Sequence, residues 1–138
     1  MKQFWINLPV KNIAASKAFF SALGFEQNPM HKDAPHLASF FLGEQKVVMM
    51  LFEEQTFKTF TATEISNTNK GSEMLLNIDA QSRKEVDDMA KKVEAAGGTI
   101  YAKPSEAEGW MYAFGFQDPD GHRWSMLYMD LDKLPKPE

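Results

Sequence analysis

The chain has 138 residues, 43% of them hydrophobic, with 11 Phe, three Trp and three Tyr, enough for one compact domain or two small modules sharing a core. A formal net charge of −4 with scattered Lys and Arg argues against nucleic acid as a partner. The lack of cysteine excludes disulfides, thiolate metal sites and cysteine nucleophiles, and no apolar run approaches the roughly 20 residues of a membrane span. The opening MKQFWINLPVKN lacks a small-residue cleavage site, so a cytoplasmic protein is expected.

In chain order, Phe4–Leu8 reads as a strand, with Pro9 limiting its ladder. Asn12 is an N-cap for a helix whose Ile13, Ala14, Ala18, Phe19, Phe20 and Leu23 recur at helical spacing, and Gly24 stops it. A strand near Phe25 and a polar loop from Asn28 to Pro35 follow. Leu37–Leu42 and Val47–Phe52 then form a hairpin across Gly43-Glu44-Gln45. The run 54–72 is rich in Thr and reads as a linker with a short helix near Phe57–Ile65.

The same order then repeats. Glu73–Ile78 is a strand, and Ser82 with Glu85 forms a capping box for a helix burying Val86, Met89, Ala90, Val93 and Ala96, ended by Gly97-Gly98. Thr99–Ala102, Trp110–Phe116 and Arg123–Met129 are the last strands. The pattern predicts two βαβββ modules, residues 1–53 and 73–130, followed by a loosely ordered tail over 131–138.

LPVKNIAASKAFFSALGF and, about 100 residues later, DPDGHRW carry a resemblance covering Phe4 to Asp130. The chain resembles the vicinal oxygen chelate superfamily, which includes glyoxalase I, bleomycin-resistance proteins and extradiol dioxygenases. The resemblance implies an α+β fold in which two βαβββ modules form a curled mixed sheet around a cavity, and a homodimer. It also implies a divalent metal held by one His, Gln or Glu from each of four strands. Counting five residues back from Val10 and from Ile78 gives Trp5 and Glu73; four after Gly121 is Ser125, and Met50 matches on the remaining strand. One carboxylate in that set cannot meet the coordination such ions require, so no metal or other cofactor is expected. The expected function is binding of a small, partly apolar molecule. The alternative is a lyase, isomerase or dioxygenase-like enzyme using Glu73 as base or a divalent metal at other residues.

Strand alternation puts Trp5, Asn7, Val48, Met50, Phe52, Glu73, Leu75, Asn77, Arg123, Ser125 and Leu127 on the cavity face. Phe4, Ile6, Leu8, Met74, Leu76, Ile78, Met126 and Tyr128 face the helices. The ligand-binding set is therefore Trp5, Asn7, Met50, Phe52, Leu75, Arg123 and Ser125, with Phe57 and Trp110 as closing residues and Phe60 beside Phe57. Trp5 serves equally as plain core. Glu73 reads as a general base raised by burial, against an ion pair with Arg123 or a wet rim position. Ser125 lacks a His–Asp relay and reads as a pocket hydrogen-bonder or simple packing. Ser105–Met111, SEAEGWM, reads either as a flap hinged at Gly109 or as a dimer contact. His31 and His36 fall in a loop and read as solvent-exposed. His122 belongs to the Asp118-Pro119-Asp120-Gly121 turn, which lacks calcium-loop spacing. Net acidity would suit a cationic ligand.

Overall fold

The computed structural model describes residues 1–135, which divide into two compact units, Met1–Gly71 and from Ser72 onward. The first unit runs β1 (Trp5–Val10), α1 (Ile13–Ala22), β2 (Glu26–Gln27), β3 (Leu37–Leu42), β4 (Val47–Glu53) and α2 (Glu54–Thr61). Its sheet has the order β1-β4-β3-β2, with β1 parallel to β4 and the remaining pairs antiparallel. The second runs β5 (Leu75–Ala80), α3 (Arg83–Ala95), β6 (Thr99–Ala107), β7 (Met111–Gln117) and β8 (Arg123–Met129), in the order β5-β8-β7-β6. Each unit is thus a four-stranded mixed sheet with a helix on one face. The fold is α+β, built from two βαβββ modules.

Local chemistry explains both main helices. Asn12 Oδ1 accepts from the Ala15 amide at 2.9 Å, which satisfies one of the free donors at the start of α1. The stripe Ile13, Ser16, Phe19 and Phe20 is buried, and the Phe20 ring lies 5.3 Å from Phe25 and 5.7 Å from Phe40. Burying one such phenyl ring contributes about 2–3 kcal/mol. In α3, Ser82 Oγ accepts from the Glu85 amide at 3.1 Å, while Glu85 Oε2 accepts from the Gln81 amide at 2.7 Å. Its buried Val86, Ala90 and Val93 cover a sheet face that holds Leu76, Phe114, Phe116, Trp124 and Met126.

Several boundaries differ from the sequence reading. β1 continues through Pro9, which stands opposite Phe52, to Val10. β1 is an edge strand, where an absent N–H breaks no ladder bond. β5 begins at Leu75, so Glu73 and Met74 precede the strand and are exposed, as Phe4 is before β1. The linker helix occupies Glu54–Thr61 and stops at Ala62, whose φ of 55° is left-handed. β6 extends to Ala107 and pairs with β7, so Ser105–Met111 is the tip of a hairpin, with Glu108 and Gly109 at positive φ. Its closure is fixed by the Asp130 amide, which donates to the Trp110 carbonyl at 2.7 Å. Leu131–Lys133 forms one turn of 3-10 helix, and the rest of the expected tail, Lys136–Glu138, lies outside the described residues.

Candidate functional site

In the first unit, strand register assembles three rows on the sheet face opposite α1. Trp5, Val48 and Phe41 form one row; Asn7, Met50 and Ser39 the next; Pro9, Phe52 and Leu37 the third. The alternate residues, Leu8, Val10, Phe40, Met49 and Leu51, are buried on the helix side. The first row borders a groove of about 660 Å³ lined by Phe4, Trp5, Phe41, Lys46 and Val48. That volume is in the range of small-molecule sites. Trp5 is 52% exposed there, so it is a surface residue rather than core. The Lys46 ammonium lies 5.1 Å from the centre of the Phe41 ring and 3.5 Å from Glu26 Oε1.

In the middle row, Asn7 Oδ1 is enclosed and has no hydrogen-bond partner among the described residues. The third row is closed over by α2: the Phe60 ring meets Phe52 edge-on at 5.0 Å, and Phe57 is half-buried on the same helix. The histidines of the β2–β3 connection divide. His36 lies exposed, 3.5 Å from Glu53, whereas His31 is partly buried, contrary to the expected exposure, with Nδ1 enclosed and without a partner among the described residues.

The second unit forms the matching rows Leu75–Arg123–Gln117, Asn77–Ser125–Gly115 and Asp79–Leu127–Ala113. Register thus makes Leu75, not Glu73, the counterpart of Trp5; each opens its strand and pairs with the start of the parallel neighbour. Glu73 stands exposed in the bend ahead of this face, not within a strand. The strand begins two residues later than counting back from Ile78 implies, because Glu73–Ala80 is apolar at too many positions to fix the strand's end. Trp110 sits in the β6–β7 turn with its indole Nε1 enclosed and unpartnered among the described residues.

Tyr101 is a functional candidate that the sequence reading missed. The register between β6 and β7 shifts between Ile100 and Ala102, so Tyr101 is the extra residue of a bulge. Its ring lies across Gly115, where a Cβ would stand 2.3 Å from Tyr101 Cζ, and its hydroxyl donates to the Trp124 carbonyl at 3.0 Å. The Arg123 guanidinium lies over this ring, 4.3 Å from its centre. Burial pushes the Tyr101 hydroxyl pKa up, with Arg123's charge pulling the other way. The available signal was Gly115 inside an otherwise aromatic strand, which marks a close approach.

The Asp118–Gly121 turn is a closed knot. Asp118 is 5% exposed; Oδ1 accepts from the Asp120 and His122 amides at 3.0 Å each, and Oδ2 accepts from Trp124 Nε1 at 3.2 Å. The Asp118 amide donates back to the His122 carbonyl at 3.1 Å. Burial raises the Asp118 pKa, opposed by the charge of His122 and by the donors on its oxygens. All of these bonds serve the turn. The carboxylate is a structural anchor with no face left for a substrate.

The chemistry of the family's four metal positions can be judged within each unit. Trp5 and Met50 offer an indole, which only donates, and a thioether; Leu75 and Ser125 offer an alkyl chain and a neutral hydroxyl. Neither pair supplies an imidazole or a carboxylate, so these residues do not fit a divalent ion of the family's type. Among the described residues no group of three or more His, Cys, Asp or Glu side chains is placed to hold a metal ion. No helix among them is long and apolar enough to cross a membrane.

Comparison with known proteins supports the fold over nine-tenths of the chain or more. A hypothetical protein of Staphylococcus aureus superposes with a TM-score of 0.82 at 26% identity, over 93% of this chain and 94% of that one. A glyoxalase/bleomycin resistance protein/dioxygenase family enzyme from Burkholderia phytofirmans gives 0.75 at 21% identity, over 91% and 96%. A lactoylglutathione lyase from Agrobacterium tumefaciens gives 0.64 at 18% identity, over 97% and 98%. Curated proteins give no sequence match. Residues 2–126 match the sequence profile of the Glyoxalase/Bleomycin resistance protein/Dioxygenase superfamily, and the chain belongs to that superfamily.

Proposed function

We propose that this chain binds a small, partly apolar molecule against the sheet faces opposite α1 and α3 and does so without the family's metal. The observation that carries the reading is the donor chemistry just described: indole, thioether, alkyl and hydroxyl groups stand where the family's ligands would be. Those groups suit contact with an organic ligand better than coordination of an ion. The groove beside Trp5 supports it further, because an exposed indole over an apolar floor is a ready stacking surface. A cytoplasmic homodimer is part of the same reading.

The test measures metal content and ligand binding on one preparation. Purified protein is expected to carry far less than one Fe, Mn, Ni or Zn per chain. It is expected to bind a flat neutral probe such as naphthalene with an affinity that chelator does not change, followed by tryptophan fluorescence. Trp5→Ala should weaken that binding about tenfold. Near-stoichiometric metal, with binding lost on chelation, would overturn the reading in favour of a metal-dependent enzyme.

A further inference from the structure

The chain's two arginines are both set against tyrosine rings, and they differ in one respect. Arg83 lies 5.8 Å from the Tyr112 ring and 5.4 Å from the Tyr128 ring, and its charge is met by Glu106, 2.6 Å from Nη2. Arg123 lies 4.3 Å from the Tyr101 ring, but among the described residues no carboxylate or hydrogen-bond acceptor meets its guanidinium. It is partly buried and stands at the start of β8, in one row with Leu75 and Gln117. Ser125 and Asn77, in the next row of the same face, add a hydroxyl and an amide.

Half-buried cations without a counter-ion are costly unless something supplies the charge. Here the fold spends structure to hold one in place. A bulge admits Tyr101 as an extra residue, a glycine makes room for its ring, and the Trp124 carbonyl accepts from its hydroxyl. A planar guanidinium braced on a fixed ring keeps its N–H fork oriented, which is the geometry that pairs with a carboxylate through two parallel bonds. Exposed Leu75 beside it gives the rest of such a ligand an apolar surface.

From this the geometry points to Arg123, braced by Tyr101, as the subsite for a carboxylate on the small molecule, whose body lies on the apolar part of the sheet face. The inference rests on the proposed binding function and narrows it. It also departs from the expectation of a cationic ligand drawn from the net charge of −4, because the charged side chain in the row with Leu75 and Gln117 is a cation.

The probes are benzoate, its neutral isostere benzamide and the cation benzylamine, titrated into the intact chain. Affinity and the Arg123 Nε–H signal in a proton–nitrogen spectrum are read together. Benzoate is expected to bind about tenfold more tightly than benzamide and to shift the Arg123 signal. Arg123→Gln should remove the preference for benzoate over benzamide. Arg123→Lys, which keeps the charge and loses the fork, should recover only part of it. Equal affinity for benzoate and benzamide, or benzoate binding that survives Arg123→Gln, overturns the subsite while small-molecule binding stands. Failure of all three probes and of naphthalene overturns both.

Discussion

The two sheets share strand order and row register, yet the faces opposite α1 and α3 hold different chemistry. In the first unit the middle row is Asn7, Met50 and Ser39, and a helix residue, Phe60, covers the row beside it. In the second the equivalent row is Asn77, Ser125 and Gly115, and the void above the glycine is filled by a tyrosine carrying an arginine. Common topology therefore fixes where side chains point and leaves open what they offer. One extra residue in an edge strand and one absent side chain opposite it suffice to lay a tyrosine ring across the face and give Arg123 a surface to stack on.

That contrast can be broken most strongly at the turns. The second unit closes β7 onto β8 through Asp118, whereas the first closes β3 onto β4 through Gly43–Lys46, where the Lys46 amide donates to the Gly43 carbonyl at 3.0 Å. Asp118→Ala strands two amides and an indole N–H and is expected to cost about 4 kcal/mol in denaturant unfolding. Glu44→Ala, at an exposed turn position, should change stability by less than about 0.5 kcal/mol. Similar values for the two would remove the distinction drawn between the turns.

Gly115→Ala comes next, at about 2 kcal/mol, because the new methyl group and the Tyr101 ring cannot share one site. The sharper measurement is the double-mutant cycle. In a Tyr101→Ala background the same substitution should cost almost nothing, and an undiminished cost would show that Tyr101 is not what the glycine accommodates. On the first face, Phe60→Ala should cost about 1 kcal/mol, the scale of one edge-on aromatic contact at a half-exposed site.

The smallest effect is a pH dependence. Asp118 has its folded pKa raised, chiefly by burial, so the folded chain holds this proton more tightly than the unfolded chain does. The group's contribution is fully present below the ordinary carboxylate value and is lost as pH rises through the raised one. The stability difference between the native chain and Asp118→Asn should therefore shrink as pH increases across that window. A difference that grows with pH would mean that the turn's three donors outweigh desolvation.

What the sequence made legible follows from the range of the interactions involved. β8 was read as Arg123–Met129, its observed bounds, because a proline–glycine turn and alternating side chains mark it locally. The caps Asn12 and Ser82 were legible for the same reason. Pro9 was misread because its tolerance depends on β1 being an edge, a property of the whole sheet. Glu73 was misplaced because several registers of an apolar run satisfy the same alternation, and only pairing with β8 chooses among them. Tyr101 over Gly115 joins residues of different strands through a bulge, and no local pattern encodes which ring will fill which gap.

The irregular course of β6 has one more consequence. It is a nine-residue edge strand with most of its side chains exposed, a length that would ordinarily offer another chain a template for continuous pairing. Its register breaks between Ile100 and Ala102 and again between Ala102 and Ser105, and Pro104 removes a donor within the second break. No uninterrupted run of its outer backbone is long enough to seed a fibril-like ladder, so the distortion that aims Tyr101 also guards the chain against edge-to-edge aggregation.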